Sequence, residues 1–307
     1  MMSGAANKNT LVANIQAEPA QHTVLGFGPD GYHEIAYTQW GEPDPQRTVI
    51  CIHGLTRNAR DFDKLARQLS ANHQVLCPDV VGRGDSDWLA DHSHYTLDQF
   101  AADQRQVIAR SGANAVDLIG TSMGGLIGIV LASEKNSPLR RLVINDIGPF
   151  IPAPAIRRIK EYLCVDPVFS SLDEAEAYFR EVYAQTHPMT DQDWQHYALH
   201  GVRLDEQGQY RLHNDPKIGE TIKRYWAFMH VNLWSCWERI ECPVLVIRGE
   251  KSDFLTESIA QRMATTGPKA EVITIPDIGH HPSLQSQEQI SMITDWLDKT
   301  QYEPVVD

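Results

Sequence analysis

The sequence predicts an α/β domain with a mostly parallel central sheet, helices on both faces and a helical insertion. Three observations carry this. Short continuous apolar runs, such as Thr48-Val49-Ile50-Cys51-Ile52 and Val244-Leu245-Val246-Ile247, read as strands buried on both faces. These runs alternate with stretches of helical period, the pattern of strand–helix–strand crossovers in a parallel sheet. From about residue 149 to 238 the alternation stops, and only helix-like stretches are found.

The chain has 307 residues, 42% hydrophobic and 22% charged, enough for one large domain with an insertion. Its formal net charge of −13 argues against nucleic acid and anionic membrane surfaces, which require basic patches. The five cysteines are odd in number and form no C-x-x-C pair, which favours a reducing compartment over a disulfide framework. Residues 1–20 lack an apolar core of signal-peptide length, and no run approaches the roughly 18 apolar residues of a membrane span. The expectation is a cytoplasmic monomer or homodimer acting on a small molecule.

In order along the chain, residues 1–20 read as a loosely held tail. Two strand candidates, 22–27 and 34–39, flank Gly28-Pro29-Asp30-Gly31, whose turn chemistry makes them a hairpin. The buried run 48–52 ends in His53-Gly54-Leu55-Thr56. Asn58 is placed to cap a helix that turns Phe62, Leu65, Ala66 and Leu69 to one side. The strand 74–80 leads to Gly82-Arg83-Gly84-Asp85, read as a plain turn. Thr96 opens a helix to about Arg110. The strands 116–119 and 142–144 follow, then the helical insertion, then strand–helix pairs over 243–249, 256–265, 271–275 and 287–299. The sequence thus divides into a tail (1–20), a core (21–148 and 239–307) and an insertion (149–238).

Chemistry concentrates at Gly120-Thr121-Ser122-Met123-Gly124. A serine between two glycines at a strand-to-helix switch fits a nucleophile elbow. Glycine removes collisions in so tight a turn, and the new helix brings free amides and its positive dipole end to the same place. A serine hydroxyl needs a base, and a base needs an orienting acid. In a parallel sheet such groups gather at the carboxyl ends of strands. Of the thirteen histidines, His280 stands just past the last strand, with His281 as runner-up. Two aspartates are placed to reach it. Asp253 follows the penultimate strand and is the first candidate; Asp146 follows the strand before the insertion and is the second. The amides of Met123 and Leu55 are the candidate oxyanion donors, with Gly54 giving close approach and His53 a structural hydrogen-bonding residue.

With Ser122, Asp253 and His280 in the order Ser…Asp…His, with His53-Gly54 and the GTSMG elbow, the chain resembles α/β-hydrolase-fold serine hydrolases from about residue 22 to its end. The members it most resembles are lidded carboxylesterases, enol-lactonases and carbon–carbon bond hydrolases. The serine at position 122 disfavours the epoxide hydrolases and haloalkane dehalogenases of the same architecture, which use a carboxylate nucleophile. The resemblance implies a helical cap over the site and ester cleavage through an acyl-enzyme, with carbon–carbon or enol-lactone hydrolysis, or a slow ligand sensor, as alternatives. No metal or other cofactor is expected, since the histidines show no H-E-x-x-H or cysteine-paired spacing. Leu55, Arg57, Phe150, Ile151, Trp226 and Phe228 are the candidate substrate-binding residues, Arg57 as a partner for a substrate carboxylate.

Overall fold

A computed structural model describes residues 18–163, 165–183, 189–220 and 231–301. The hairpin is formed by β1 (Ala20–Gly28) and β2 (Gly31–Trp40). Then come β3 (Thr48–Ile52), α1 (Asp63–Leu69), β4 (Gln74–Pro78), α2 (Leu97–Arg110), β5 (Val116–Thr121), α3 (Met123–Ala132) and β6 (Leu139–Asn145). The insertion carries α4 (Ala153–Leu163), β7 (Val168–Phe169), α5 (Leu172–Val182), α6 (Asp191–Gly201), β8 (Val202–Leu204), β9 (Tyr210–Leu212) and α7 (Trp234–Trp237). The chain returns to the sheet with β10 (Val244–Gly249), α8 (Glu257–Thr265), β11 (Glu271–Ile275) and α9 (Gln287–Lys299).

Eight strands form one sheet in the order β1-β2-β4-β3-β5-β6-β10-β11. It is parallel from β4 to β11, while β2 pairs antiparallel with both β1 and β4. Every residue of β3, β4, β5 and β10 is buried, as continuous apolar runs require. Alternate residues feed two layers. Ile50, Ile52, Leu118 and Val246 pack with Val107, Leu126 and Met263 on one face. Val49, Cys51, Ile119 and Leu245 pack with Leu65, Leu69 and Ile293 on the other. Each large side chain so removed from water contributes about 1.5–3 kcal/mol. Thr96, Thr256 and Ser286 accept hydrogen bonds from amides in the first turns of α2, α8 and α9, which fixes where those helices start.

The insertion departs from the all-helical expectation. Strands β7, β9 and β8 form a small antiparallel sheet. Strands of two or three residues are too short to show an alternating pattern, and each continues directly from or into polar sequence. The insertion also has its own apolar cluster of Phe169, Ala175, Phe179, Trp194, Tyr197 and Val202. It is tied to the core by polar contacts. Asn58 Nδ2 donates to the His200 carbonyl at 2.6 Å, and Thr56 and Tyr183 hydroxyls lie 2.8 Å apart. Among the described residues no helix is long and apolar enough to cross a membrane.

Candidate active site

The site lies at the carboxyl ends of β3, β5, β6, β10 and β11. Ser122, between β5 and α3, has φ 51° and ψ −113°, a strained conformation for a residue with a side chain. Glycines make the turn possible. A Cβ at Gly120 would enter the backbone of Gly124, and one at Gly124 would enter the carbonyl of Ile52. The strain aims the Ser122 hydroxyl away from the sheet, where it donates to His280 Nε2 at 2.9 Å. His280 Nδ1 in turn donates to Asp146 Oδ2 at 2.8 Å. These two bonds together assign one tautomer, with the proton on Nδ1 and Nε2 left as the acceptor.

Asp146 is fully buried, with φ 57°, a conformation aspartate tolerates better than most residues. Its other oxygen accepts from the Gly249 amide at 2.8 Å, so both carboxylate oxygens are held. His280 is placed by its loop. The carbonyls of Ile278 and Gly279 press so closely on Gly249 that a Cβ there would lie 2.7 Å from Ile278 O and nearer still to Gly279 O. Asn145 Nδ2 donates to the Pro282 carbonyl at 2.8 Å and pins the far side of the same loop. Phe254 stacks on the imidazole of His280, ring centroids 3.9 Å apart. The runner-up, His281, stands edge-on to His280 with its Nδ1 on the Pro282 carbonyl.

Asp253 is the main correction to the sequence reading. Its carboxylate accepts from Arg158 Nε at 2.8 Å and Nη2 at 2.7 Å, and Asp146 takes the place beside His280. The reason is strand order. β6 lies between β5 and β10, so a residue one step past β6 sits directly beside Ser122, whereas Asp253 lies four residues past β10. Arg158 outweighs burial and holds the Asp253 carboxyl below its usual range.

Leu55 and Met123, the candidate oxyanion donors, line the same cavity as Ser122 and His280. The loop carrying Leu55 is fixed by two groups. His53 Nε2 accepts from the Val80 amide at 2.9 Å, and its Nδ1 donates to the Gly54 carbonyl at 2.7 Å. Burial pushes the His53 pKa down to about 3, consistent with a neutral ring satisfied on both sides. Arg83 is fully buried and donates from Nε to the Leu55 carbonyl at 2.9 Å and from Nη1 to Val81 O at 2.8 Å. The turn reading of Arg83-Gly84-Asp85 missed this anchor, because nothing local marks a surface-type residue as buried. Gly54 proves less crowded than expected. A Cβ there would lie 3.8 Å from Ser122 Cβ, in ordinary contact.

A cavity of about 50 Å³ opens on Ser122 and His280, lined by Leu55, Arg57 and Ile151 among others. Phe150 is not in it. That residue lines a separate groove with Asn232 and Trp234, because the chain turns away through an antiparallel bridge between Phe150 and Asn232. Trp237 is fully buried core packing. Trp226 and Phe228 lie outside the described residues. Arg57 is only 3% exposed. Its Nε and Nη2 donate to Asp61, and its Cζ lies 3.1 Å from the Tyr197 ring centroid. One group of metal-ligand type occurs among the described residues, Asp63, His196 and His200. Arg60 already donates two bonds to the Asp63 carboxylate, and His196 Nε2 lies 3.2 Å from it, so the group reads as an ion-pair network.

The model of the alpha/beta hydrolase family matches residues 49–291. The chain belongs to that family. This alpha/beta hydrolase is similar to the 3-hydroxybutyrate-oligomer hydrolase of Cupriavidus necator, 37% identical over 285 residues that cover 91% of this chain and 97% of that one. It is less similar to the 2-(acetamidomethylene)succinate hydrolase of Mesorhizobium japonicum, 22% identical over 253 residues, with 81% and 87% covered. Among solved structures, an alpha/beta hydrolase from Novosphingobium aromaticivorans superposes with a TM-score of 0.83 at 32% identity, covering 93% of this chain and all of that one.

Proposed function

We propose that this alpha/beta hydrolase cleaves carboxylic esters through an acyl-enzyme on Ser122, with His280 as base and Asp146 as the orienting acid. The observation that carries the reading is the unbroken hydrogen-bonded line from Ser122 Oγ through His280 to a fully buried carboxylate. His280 Nε2 takes the Ser122 proton as Oγ attacks the ester carbonyl. The Leu55 and Met123 amides hold the resulting oxyanion. The proton passes from Nε2 to the departing alkoxide oxygen. Water, giving its proton to His280, then attacks the acyl carbon, and Ser122 is restored as the acid leaves. Asp146 keeps the imidazole in the required tautomer and stabilises its cation throughout.

Residues 149–238 serve as a lid in this reading. Ile151, Arg158, Ile159, Val182 and Tyr183 come from that segment and face Ser122 across the cavity. About 50 Å³ is small against the several hundred Å³ usual for a ligand pocket, so the lid must yield for a substrate to bind. The higher identity and coverage of the Cupriavidus necator relative favour ester substrates, specifically short oligoesters of 3-hydroxy acids, over the chemistry of the more distant relative.

The test is hydrolysis of 3-hydroxybutyrate dimer and trimer by the purified chain, followed as acid release, beside p-nitrophenyl butyrate. Turnover of the oligomers that is lost in Ser122→Ala supports the reading. No cleavage of any of these esters by the folded wild-type chain would overturn it.

A further inference from the structure

The cavity wall is apolar over Leu126, Ile147, Ile151 and Ile159, and two guanidiniums interrupt it. They differ in kind. Arg57 is buried, held by Asp61 and covered by the Tyr197 ring. Arg158, on α4, keeps 42% of its side chain exposed while it pairs with Asp253, itself 42% exposed. Arg158 Cζ lies 5.2 Å from the centroid of Phe254, and Phe254 lies 3.9 Å from the imidazole of His280. Arg158 and His280 thus both pack against Phe254, and all three line the cavity that opens on Ser122.

We propose that Arg158 is a carboxylate subsite that receives the free terminal carboxylate of the substrate, one hydroxy-acid unit from the ester being cleaved. The proposal rests on the ester reading above and names the end of the substrate that the site recognises. In a 3-hydroxy acid ester, four bonds of about 1.5 Å separate the reacting carbonyl carbon from the carboxylate carbon, about 5 Å when extended. A charge-assisted N–H···O bond adds about 2.8 Å. Ser122 and Arg158 line the same cavity, along which such a substrate would extend.

Asp253 marks the geometry of the subsite. It is a carboxylate held in the bidentate fork that a substrate carboxylate would use. A substrate carboxylate enters this fork by exchanging with Asp253, which is 42% exposed. Exchange of one half-exposed carboxylate for another changes little in free energy, because such exposed pairs are weak.

The experiment compares kcat/KM for the 3-hydroxybutyrate dimer as free acid and as its methyl ester, in the wild-type chain, Arg158→Gln, Arg158→Lys and Asp253→Asn. The acid-to-methyl-ester ratio should fall about tenfold or more in Arg158→Gln, chiefly through KM for the acid. Arg158→Lys should recover part of it, and Asp253→Asn should raise it by removing the competing carboxylate. An unchanged ratio in Arg158→Gln, with both esters still cleaved, overturns the subsite alone. Wild-type chain that cleaves neither ester overturns the subsite and the ester reading together.

Discussion

Ser122 and Asp146 are matching positions on neighbouring parallel strands. Thr121 pairs with Asn145 in register, and the next residue on each strand turns to positive φ, 51° at Ser122 and 57° at Asp146. The Ser122 amide donates to the Asn145 carbonyl at 2.9 Å, so the two turns are tied together at their base. His280 then needs only to hang between them from the loop after β11.

This pairing ranks the two aspartates. Asp146→Asn should lower kcat by up to about 10⁴, because the amide misorients the imidazole and withdraws stabilisation from its cation. Asp253→Asn should keep kcat on p-nitrophenyl butyrate within about tenfold, since its carboxylate contacts Arg158 and not His280. Steady-state kinetics on both folded variants decides the matter; a larger loss at Asp253 would return the acid to that position.

A second expectation concerns the loop that carries His280. Gly249→Ala places a methyl group against the carbonyls of Ile278 and Gly279. The loop must shift, and a displacement of about 1 Å at the base is expected to cost about 10² in kcat. Circular dichroism should show the fold retained. Wild-type kcat in the alanine variant would show that the loop position does not govern the site.

The pH response of His53 gives a third. Its Nδ1–H faces the Gly54 carbonyl and its Nε2 faces the Val80 amide, so a second proton has no acceptor. An unfolded histidine takes its proton near pH 6.5, whereas folded His53 does so only at about 3. Between these values the unfolded state holds the extra proton. The contribution of His53 to stability is therefore complete above about pH 6.5 and is lost as pH falls toward about 3. Asp79 has the opposite sign, since burial raises its pKa to about 7 and the folded state holds the extra proton there. Imidazole ¹⁵N spectra should show His53 as the neutral Nδ1–H tautomer at pH 5; titration near pH 6.5 would contradict the assignment.

How much of this could be read from the chain follows from locality. The elbow at Ser122 is local, because two glycines, a preceding apolar run and a following helix all fall within a few residues. His280 was also accessible, since a loop after the last strand has few competitors. The choice between Asp146 and Asp253 was not. It depends on which strand lies next to β5, and sheet order is a property of the assembled core, not of spacing along the chain. The partners of Arg83 and Arg158 were hidden for the same reason, since Leu55 and Asp253 lie far from them in sequence, whereas Asp61 stands only four residues from Arg57 and it is the burial of that pair under Tyr197 that no local pattern records. In the insertion, β7 to β9 escaped because two or three residues cannot display a period, although Gly208, at φ 75°, does mark the turn between β8 and β9.

The central claim is that Ser122 forms the covalent intermediate under the influence of His280 and Asp146. Its most direct test is intact-protein and peptide mass spectrometry after treatment with a fluorophosphonate. A single adduct on Ser122, absent from Ser122→Ala and formed far more slowly in Asp146→Asn, is the predicted result. An adduct that persists in folded Ser122→Ala, or that maps to a different residue in the wild-type chain, would contradict it.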